Sequence, residues 1–330
     1  MRQGARYCLS THDCGEGRIE VIRVMTMKKR WRTDACLVLC GVLIWFLADA
    51  GRIRAAAGEA LALCANSVIP ALFPFMAVSA LLISMGFGEW ISPHFAGWMT
   101  LFHLPGTASP AVLLGLIGGY PIGARTAVGL YEKKLLTAGE AERLLAFCNN
   151  SNPVFLISVL GTGLFGSFRA GVWLWLIHIL SALLTGLCFR GTAAEIRQTR
   201  PKIRFAPQEI SFAPAFVKAV QGSVSSMLSV CGFIVFFYIL ASPLARLEAP
   251  AGPLLVGIVE LFSLTPLLPA NRLGFVIAAA CAGFGGISIL CQTASVLDGS
   301  GLRLRSYFWG KVLQGFFSAG LAAAAAFYVL

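Results

Sequence analysis

The chain has 330 residues, of which 57% are hydrophobic and only 12% are charged, and its mean hydropathy is +0.78. An average soluble domain carries about 25% charged residues, so this chain has too few to cover a water-facing surface. These values argue against a soluble enzyme, a disordered protein and a nucleic-acid binder. They predict a polytopic membrane protein that lies in a lipid bilayer.

The net charge of +11 comes largely from basic residues that flank apolar segments. Two clusters hold nine of these residues: Lys28, Lys29, Arg30 and Arg32, and then Arg190, Arg197, Arg200, Lys202 and Arg204. Basic residues beside membrane spans mark the cytoplasmic side. We therefore expect a bacterial inner-membrane protein whose N-terminus and central linker are cytoplasmic, with no nucleic-acid partner.

Residues 1–24 show neither an apolar period nor the hydrophobic core of a signal peptide. A normal membrane protein would begin at Met25 or Met27, just before the basic stretch and the first apolar helix. We interpret 1–24 as a non-native or disordered extension, in preference to a small metal cluster of Cys8, His12, Asp13 and Cys14. A chain that starts at Met25 is expected to insert and behave like the full-length chain. Loss of membrane insertion in that truncation would show that the extension is functional.

Uninterrupted apolar segments follow in chain order, and a transmembrane helix needs about 20 such residues. The segments that reach or approach this length are 35–50, 68–87, 170–189, 227–244 and 307–330. An alanine-rich amphipathic helix is predicted at 52–66. The predicted divisions are the extension 1–24, the first two helices 25–65, a first repeat 66–189, a basic linker 190–213 and a second repeat 214–330.

Other apolar segments are interrupted, twice in each half of the chain. In the first half, the interruptions are the glycine- and proline-containing segment 118–123 and the asparagine-rich segment 149–153. Between them, Thr137 and Glu140 have the spacing of a capping box, which predicts a helix start. In the second half, the interruptions are 263–269, which follows Glu260, and 282–286. Because the two halves match in order, we predict an all-α membrane fold with two inverted-topology repeats and broken or re-entrant helices.

Broken helices inside a membrane predict a binding site. An unsatisfied backbone group costs several kcal/mol in lipid, so irregular backbone persists only inside protein or beside a water-filled cavity. Pro121 and Pro153 each remove a backbone donor, and Asn152 can cap the helix that begins at Pro153. The half-helix ends can then bind polar groups, as in many secondary transporters. The simpler alternative is that glycine and proline only kink these helices.

Polar residues at membrane depth support a site, because charges there usually face the protein interior. Arg125 and Glu260 either pair with each other or each contact a solute, and Glu260 has the further alternative of a structural carboxyl group. His178 is interpreted as a residue that hydrogen-bonds between helices. The predicted solute-binding residues are Gly119, Tyr120, Pro121, Gly123, Arg125, Asn149, Asn150, Ser151, Asn152, Glu260, Gly285, Gly286, Ser288 and Gln292.

Motifs for catalysis or cofactor binding are not supported. The GxGxxG match at 161–166 lies in an apolar membrane segment and has neither the preceding strand nor the later acidic residue of a dinucleotide site. HExxH, GxSxG and P-loop sequences do not occur, and the ten cysteines include no CxxC pair. We therefore expect no enzymatic activity, no cofactor and no bound metal.

Three segments together closely resemble the YlbJ family of sporulation integral membrane proteins: GGYPIGA (118–124), EAERLLAFCNNSNPVF (140–155) and GFGGISILCQ (283–292). That family is grouped with the nucleoside-recognition or Gate-domain proteins, which are related to concentrative nucleoside transporters. The resemblance covers about residues 30–330 and implies an all-helical inner-membrane protein that endospore-forming bacteria need for the spore cortex. The motif positions it implies are Gly119, Tyr120, Pro121, Gly123, Asn149, Asn150, Pro153, Gly285, Gly286, Ser288 and Gln292.

Two functions remain open at this point. The first is a transporter or channel for a small polar solute, neutral or anionic, such as a nucleoside or sugar derivative. The second is a non-transporting scaffold that supports assembly of the spore envelope through an oligomer or sporulation protein partners. A hydrated cavity at the broken helices would favour transport, and a dry packed core would favour a scaffold.

Overall fold

The computed structural model describes residues 33–191, 211–248 and 250–329. The predicted extension 1–24 and most of the predicted linker lie outside these residues. Within them the chain is helical and contains no strand, which confirms the all-α prediction. Contacts divide the chain into a first unit that ends at Ala55 and a second unit that begins at Ala56. The breaks, contacts and candidate site described below belong to the second unit.

The α-helices are numbered in chain order. They are α1 Thr33–Ala48, α2 Ala50–Leu63, α3 Ile69–Ser84, α4 Phe87–Thr100, α5 Ser109–Gly118, α6 Ile122–Glu132, α7 Ala138–Cys148, α8 Phe168–Cys188, α9 Phe212–Ala241, α10 Ala251–Val259, α11 Arg272–Phe284, α12 Gly286–Leu297 and α13 Arg305–Val329. Two segments have π-helical geometry, Cys64–Val68 and Phe155–Leu164.

Five helical segments in the described residues are long and apolar enough to cross a membrane. They are Ala50–Ser84, Phe168–Cys188, Phe212–Ala241, Arg272–Leu297 and Arg305–Val329. The chain is therefore a multi-pass membrane protein. One sequence-based boundary is wrong: the predicted amphipathic helix 52–66 continues through the π-helical turn Cys64–Val68 into α3. Asn66 and Ser67, which are common in turns, are taken into the π-helical turn instead of ending the helix.

Both predicted breaks in the first half are confirmed. Helix α5 ends at Gly118 and α6 begins at Ile122, and the Tyr120–Pro121 peptide between them is cis. Helix α7 starts with the predicted capping box at Thr137 and ends at Cys148, before the asparagine-rich segment.

The two breaks in the second half are also present, but one begins earlier than predicted. Helix α10 ends at Val259 and is followed by a 3-10 turn, Phe262–Leu267, so this break starts at Glu260 rather than at residue 263. Helices α11 and α12 meet at Gly285, whose φ of +88° is accessible mainly to glycine.

Small residues let helix ends approach one another closely around the first-half breaks. A Cβ atom at Gly115 would lie 1.7 Å from the carbonyl oxygen of Cys148, and a Cβ atom at Gly123 would lie 2.1 Å from it. Likewise, a Cβ atom at Gly310 would lie 2.3 Å from the Ala146 carbonyl oxygen. The C-terminal end of α7 is therefore enclosed by α5, α6 and α13, which needs glycine at each contact.

Replacing Gly123 by alanine is expected to destabilise the protein, because the new methyl group would collide with the Cys148 carbonyl group. Overpacking of this kind costs about 1–3 kcal/mol. Gly129, on the same helix, has no atom within 4 Å of its Cβ position, so Gly129→Ala is the matched control. Thermal unfolding of the purified variants measures the difference. Equal melting temperatures would show that α6 does not need this close approach.

Candidate functional site

The asparagine turn, Asn149–Asn152, lies where α7 ends, and its four side chains are 0–3% exposed. The amide group of Asn149 joins three parts of the chain. Its Nδ2 donates to Thr293 Oγ1 (3.0 Å) and to Tyr307 OH (3.4 Å), and its Oδ1 accepts from the backbone N–H of Ala124 (3.3 Å). One asparagine thus connects α6 of the first half to α12 and α13 of the second half.

Asn150 contributes a second link between the two halves. Its Nδ2 donates to the carbonyl oxygen of Phe147 (2.7 Å), and its Oδ1 accepts from Gln314 Nε2 (3.0 Å). Because the last carbonyl groups of an α-helix lack partners within the helix, the bond to Phe147 also stabilises the end of α7. Asn150 is therefore both a helix cap and a contact to α13.

Asn152 has the predicted capping role. Its Oδ1 accepts from the backbone N–H of Val154 (2.7 Å), at the start of the helical segment that contains Pro153. Its Nδ2 donates to the carbonyl oxygen of Gly118 (3.3 Å), and a Cβ atom at Gly119 would lie 2.7 Å from the Asn152 Cβ atom. The two first-half breaks consequently pack against each other.

Lys311 is the central residue that the sequence interpretation missed. It is 1% exposed, and its Nζ donates to the Asn149 carbonyl oxygen (2.9 Å) and to Gln314 Oε1 (2.7 Å). The Nζ atom also lies 5.2 Å from the centre of the Tyr120 ring, within cation–π range. In the described part of the chain, no carboxylate forms an ion pair with it. The segment 307–330 was predicted as uninterrupted, although Lys311 and Gln314 share one face of it.

His178 completes this network from α8. Its Nε2 accepts a hydrogen bond from the backbone N–H of Ser151 (3.0 Å), so the ring links α8 to the asparagine turn as a structural partner. Its Nδ1 is buried without a hydrogen-bond partner. The backbone oxygen of His178 accepts from Gln314 Nε2 (3.5 Å). We call the set Asn149, Asn150, His178, Thr293, Tyr307, Lys311 and Gln314 the polar centre.

The first-half break at Tyr120 meets the second-half break at Gly285. Tyr120 OH lies 3.5 Å from the carbonyl oxygen of Ala282 and donates to it, and a Cβ atom at Gly285 would lie 3.0 Å from the same hydroxyl group. A Cβ atom at Gly286 would lie 3.3–3.4 Å from the carbonyl oxygens of Gly257 and Val259. The break at 282–286 therefore contacts both the Tyr120 break and the turn at Glu260, and the asparagine turn adjoins the Tyr120 break through Asn152.

Arg125 and Glu260 do not pair with each other. Arg125 is exposed, donates to Ser226 Oγ (2.5 Å) and borders two cavities of about 210 and 130 Å³. Glu260 is fully buried, and its Oε2 accepts from both the backbone N–H and the Oγ of Ser263 (2.6 Å each). The pairing that the sequence left open is wrong, because Arg125 bonds to Ser226 of α9 whereas Glu260 bonds to Ser263.

The remaining predicted site residues have smaller roles. Gln292 Nε2 donates to Ser288 Oγ (3.4 Å), and both residues are buried in α12. Gly119, Pro121 and Gly123 provide backbone geometry and close contacts rather than polar side-chain atoms. Within the described residues, no group of three or more His, Cys, Asp or Glu side chains is placed to hold a metal ion.

The polar centre offers amide and hydroxyl groups and one buried amino group, and it is closed in this conformation. Asn149, Asn150 and Gln314 are all 0% exposed. A buried cationic group without a counter-charge is costly, since neutral acceptors do not replace its hydration, so an amino group in this position favours either its neutral form or an anionic partner.

Comparison with known proteins gives one informative relative. Over 294 residues, the chain is 26% identical to the sporulation integral membrane protein YlbJ of Bacillus subtilis (strain 168). The match covers 76% of this chain and 72% of that protein. The resemblance to YlbJ-type proteins is confirmed. No family model matches the chain, and no solved structure matches it.

Proposed function

We propose that the chain is a transporter or channel for a small polar solute, such as a nucleoside or sugar derivative, and that it acts in formation of the spore cortex. The role in sporulation is supported by the similarity to YlbJ. The transport role is supported chiefly by one feature, the buried Lys311 amino group, which meets two neutral oxygens and no carboxylate at the broken helices within the described residues. An anionic or acceptor-rich solute would supply the missing partner.

The proposed setting is the bacterial inner membrane, with the N-terminus and the central linker in the cytoplasm. The basic residues of these segments support that orientation. We propose no catalytic activity, and we propose that the two halves form inverted repeats that move against each other around the polar centre. In that arrangement the closed structure is the occluded state of the transport cycle.

A scaffold for spore-envelope assembly is the second candidate, and one observation favours it. The side chains of the polar centre hydrogen-bond to one another and are buried, as expected for a structural core. A transporter and a scaffold differ in whether the centre binds a solute and opens. A scaffold would also bind its partners through its surface. Its function would therefore be insensitive to conservative substitutions in the polar centre.

A metabolite-binding screen on the purified protein tests the proposed function. We expect at least one polar metabolite to raise the melting temperature of the wild type and to lose this effect with Asn149→Ala. Asn271 caps α11 through Gly274 N–H (3.0 Å), outside the polar centre, so Asn271→Ala is the matched control and should still respond. Uptake of the same metabolite into proteoliposomes completes the test. Equal responses of both variants would assign binding to another part of the protein.

A further inference from the structure

Glu260 combines full burial with an incomplete set of hydrogen bonds. It lies directly after α10, where the chain leaves helical geometry, and it is 0% exposed. Its Oε2 accepts two short hydrogen bonds from Ser263. Its Oε1 is buried and has no hydrogen-bond partner. The two oxygens of this carboxyl group are therefore in very different environments.

The surroundings of Glu260 supply no positive charge. The titratable groups within electrostatic reach are the Cys64 thiol of the π-helical turn and the Tyr238 phenol of α9. Tyr238 OH itself donates to Glu59 Oε2 (2.9 Å), so the partner of this phenol is a second acid and not a basic group. The side chain of Cys281 in α11 contacts Gly257 of α10. The backbone of Gly286 in α12 lies against the turn that follows α10. Across residues 33–191, 211–248 and 250–329, no basic side chain pairs with Glu260.

An ionised carboxylate in this environment would be costly. Burying an unpaired charge costs several kcal/mol even after relaxation of the protein, and the two bonds from Ser263, together with the nearby backbone N–H groups of Leu261 and Phe262, offset only part of this cost. A cation must therefore accompany Glu260 in the closed structure. A hard metal ion needs several oxygen ligands, whereas only one carboxylate oxygen is free here. A proton needs only one oxygen, so the single free carboxylate oxygen suits a proton.

We propose that Glu260 carries a proton on Oε1 in the closed structure and releases it to water when the broken helices around it open. The proton passes between the Oε1 atom and a water molecule, and no other bond changes. The proton site follows from the closed structure whether or not the chain transports a solute. If the proposed transport function also holds, this site couples solute movement to the proton gradient, because the turn at Glu260 packs against Gly286, and the adjacent Gly285 contacts Tyr120, which lies beside Lys311.

Infrared spectroscopy of the purified full-length protein tests the proton directly. We expect the carbonyl stretch of a protonated carboxyl group at neutral pH, a shift of that band in heavy water, and its loss in Glu260→Gln. Glutamine keeps the shape and still accepts from Ser263, so the variant should remain folded. Glu132→Gln, at the exposed end of α6, is the matched control and should leave the band unchanged.

Ser263→Ala gives a second, independent test. It removes one hydrogen bond that favours the ionised form, so the band should persist to a higher pH than in the wild type. An unchanged titration midpoint in this variant would count against the proposal. A band that Glu260→Gln leaves intact, or one that appears only when sodium is replaced by a larger cation, would overturn it. The first result would place the proton elsewhere, and the second would identify Glu260 as a sodium site.

Discussion

Replacing Asn150 by leucine is expected to abolish function in spore formation while leaving expression and membrane insertion intact. Leucine is well tolerated in lipid, so the change does not impair insertion. It does remove both amide contacts, which leaves the Phe147 carbonyl group and Gln314 Nε2 without their partners. Each unsatisfied buried group costs about 1–3 kcal/mol. The measurement is cortex formation by a sporulating host in which the variant replaces the native protein.

Asn66→Leu is the matched control for this experiment. Asn66 is exposed in the π-helical turn between α2 and α3, so the same chemical change there removes no buried contact. The control should complete the cortex as the wild type does. If Asn150→Leu also completes the cortex, the asparagines are structural caps and the assignment of the polar centre as a solute site is wrong.

Replacing Lys311 by methionine is expected to eliminate solute binding without lowering thermal stability. Methionine has similar length and flexibility, and it removes the cost of burying a basic amino group. That gain opposes the loss of two hydrogen bonds, to the Asn149 carbonyl oxygen and to Gln314 Oε1. A residue retained for function at the expense of stability should behave in this way. Thermal unfolding and solute binding of the purified variant measure the two effects separately.

Lys134→Met provides the control for this prediction, because Lys134 is exposed in the turn after α6. It should change neither solute binding nor stability. A large drop in melting temperature for Lys311→Met, with binding intact in the protein that remains folded, would identify Lys311 as a structural residue. That outcome would favour the scaffold over the transporter.

Local sequence patterns were sufficient to predict where the helices break. Glycine and proline at 118–123, the asparagines at 149–152 and the glycines at 283–286 each interrupt an otherwise apolar segment, and helix geometry responds to such residues directly. The capping box at Thr137 could be predicted from the sequence for the same reason. Glu260 shows the limit of this approach, because the helix ends at the acidic residue itself and not at the prolines that follow it.

Contacts across the chain could not be predicted in the same way. Lys311 lies in a long apolar helix, where the average hydropathy hides a single charge, and its partner Asn149 is 162 residues away. Thr293 and Tyr307 were missed because nothing in their local sequence indicates that they face an asparagine. The partner of Arg125 could not be predicted for a related reason: its position in α6 follows from the local sequence, but its contact with Ser226 depends on how α6 packs against α9.

The accessibility of Cys148 in native membranes tests most directly whether the polar centre opens to water. Cys148 is 0% exposed at the end of α7, within electrostatic reach of Lys311, whereas Cys281 is 2% exposed and packs against Gly257. Mass spectrometry can compare the labelling of the two thiols by a small water-soluble thiol reagent. A transporter predicts that Cys148 is labelled, that a bound solute slows its labelling, and that Cys281 remains unlabelled. If both thiols react only when the protein unfolds, the centre is a static core and the transport proposal is contradicted.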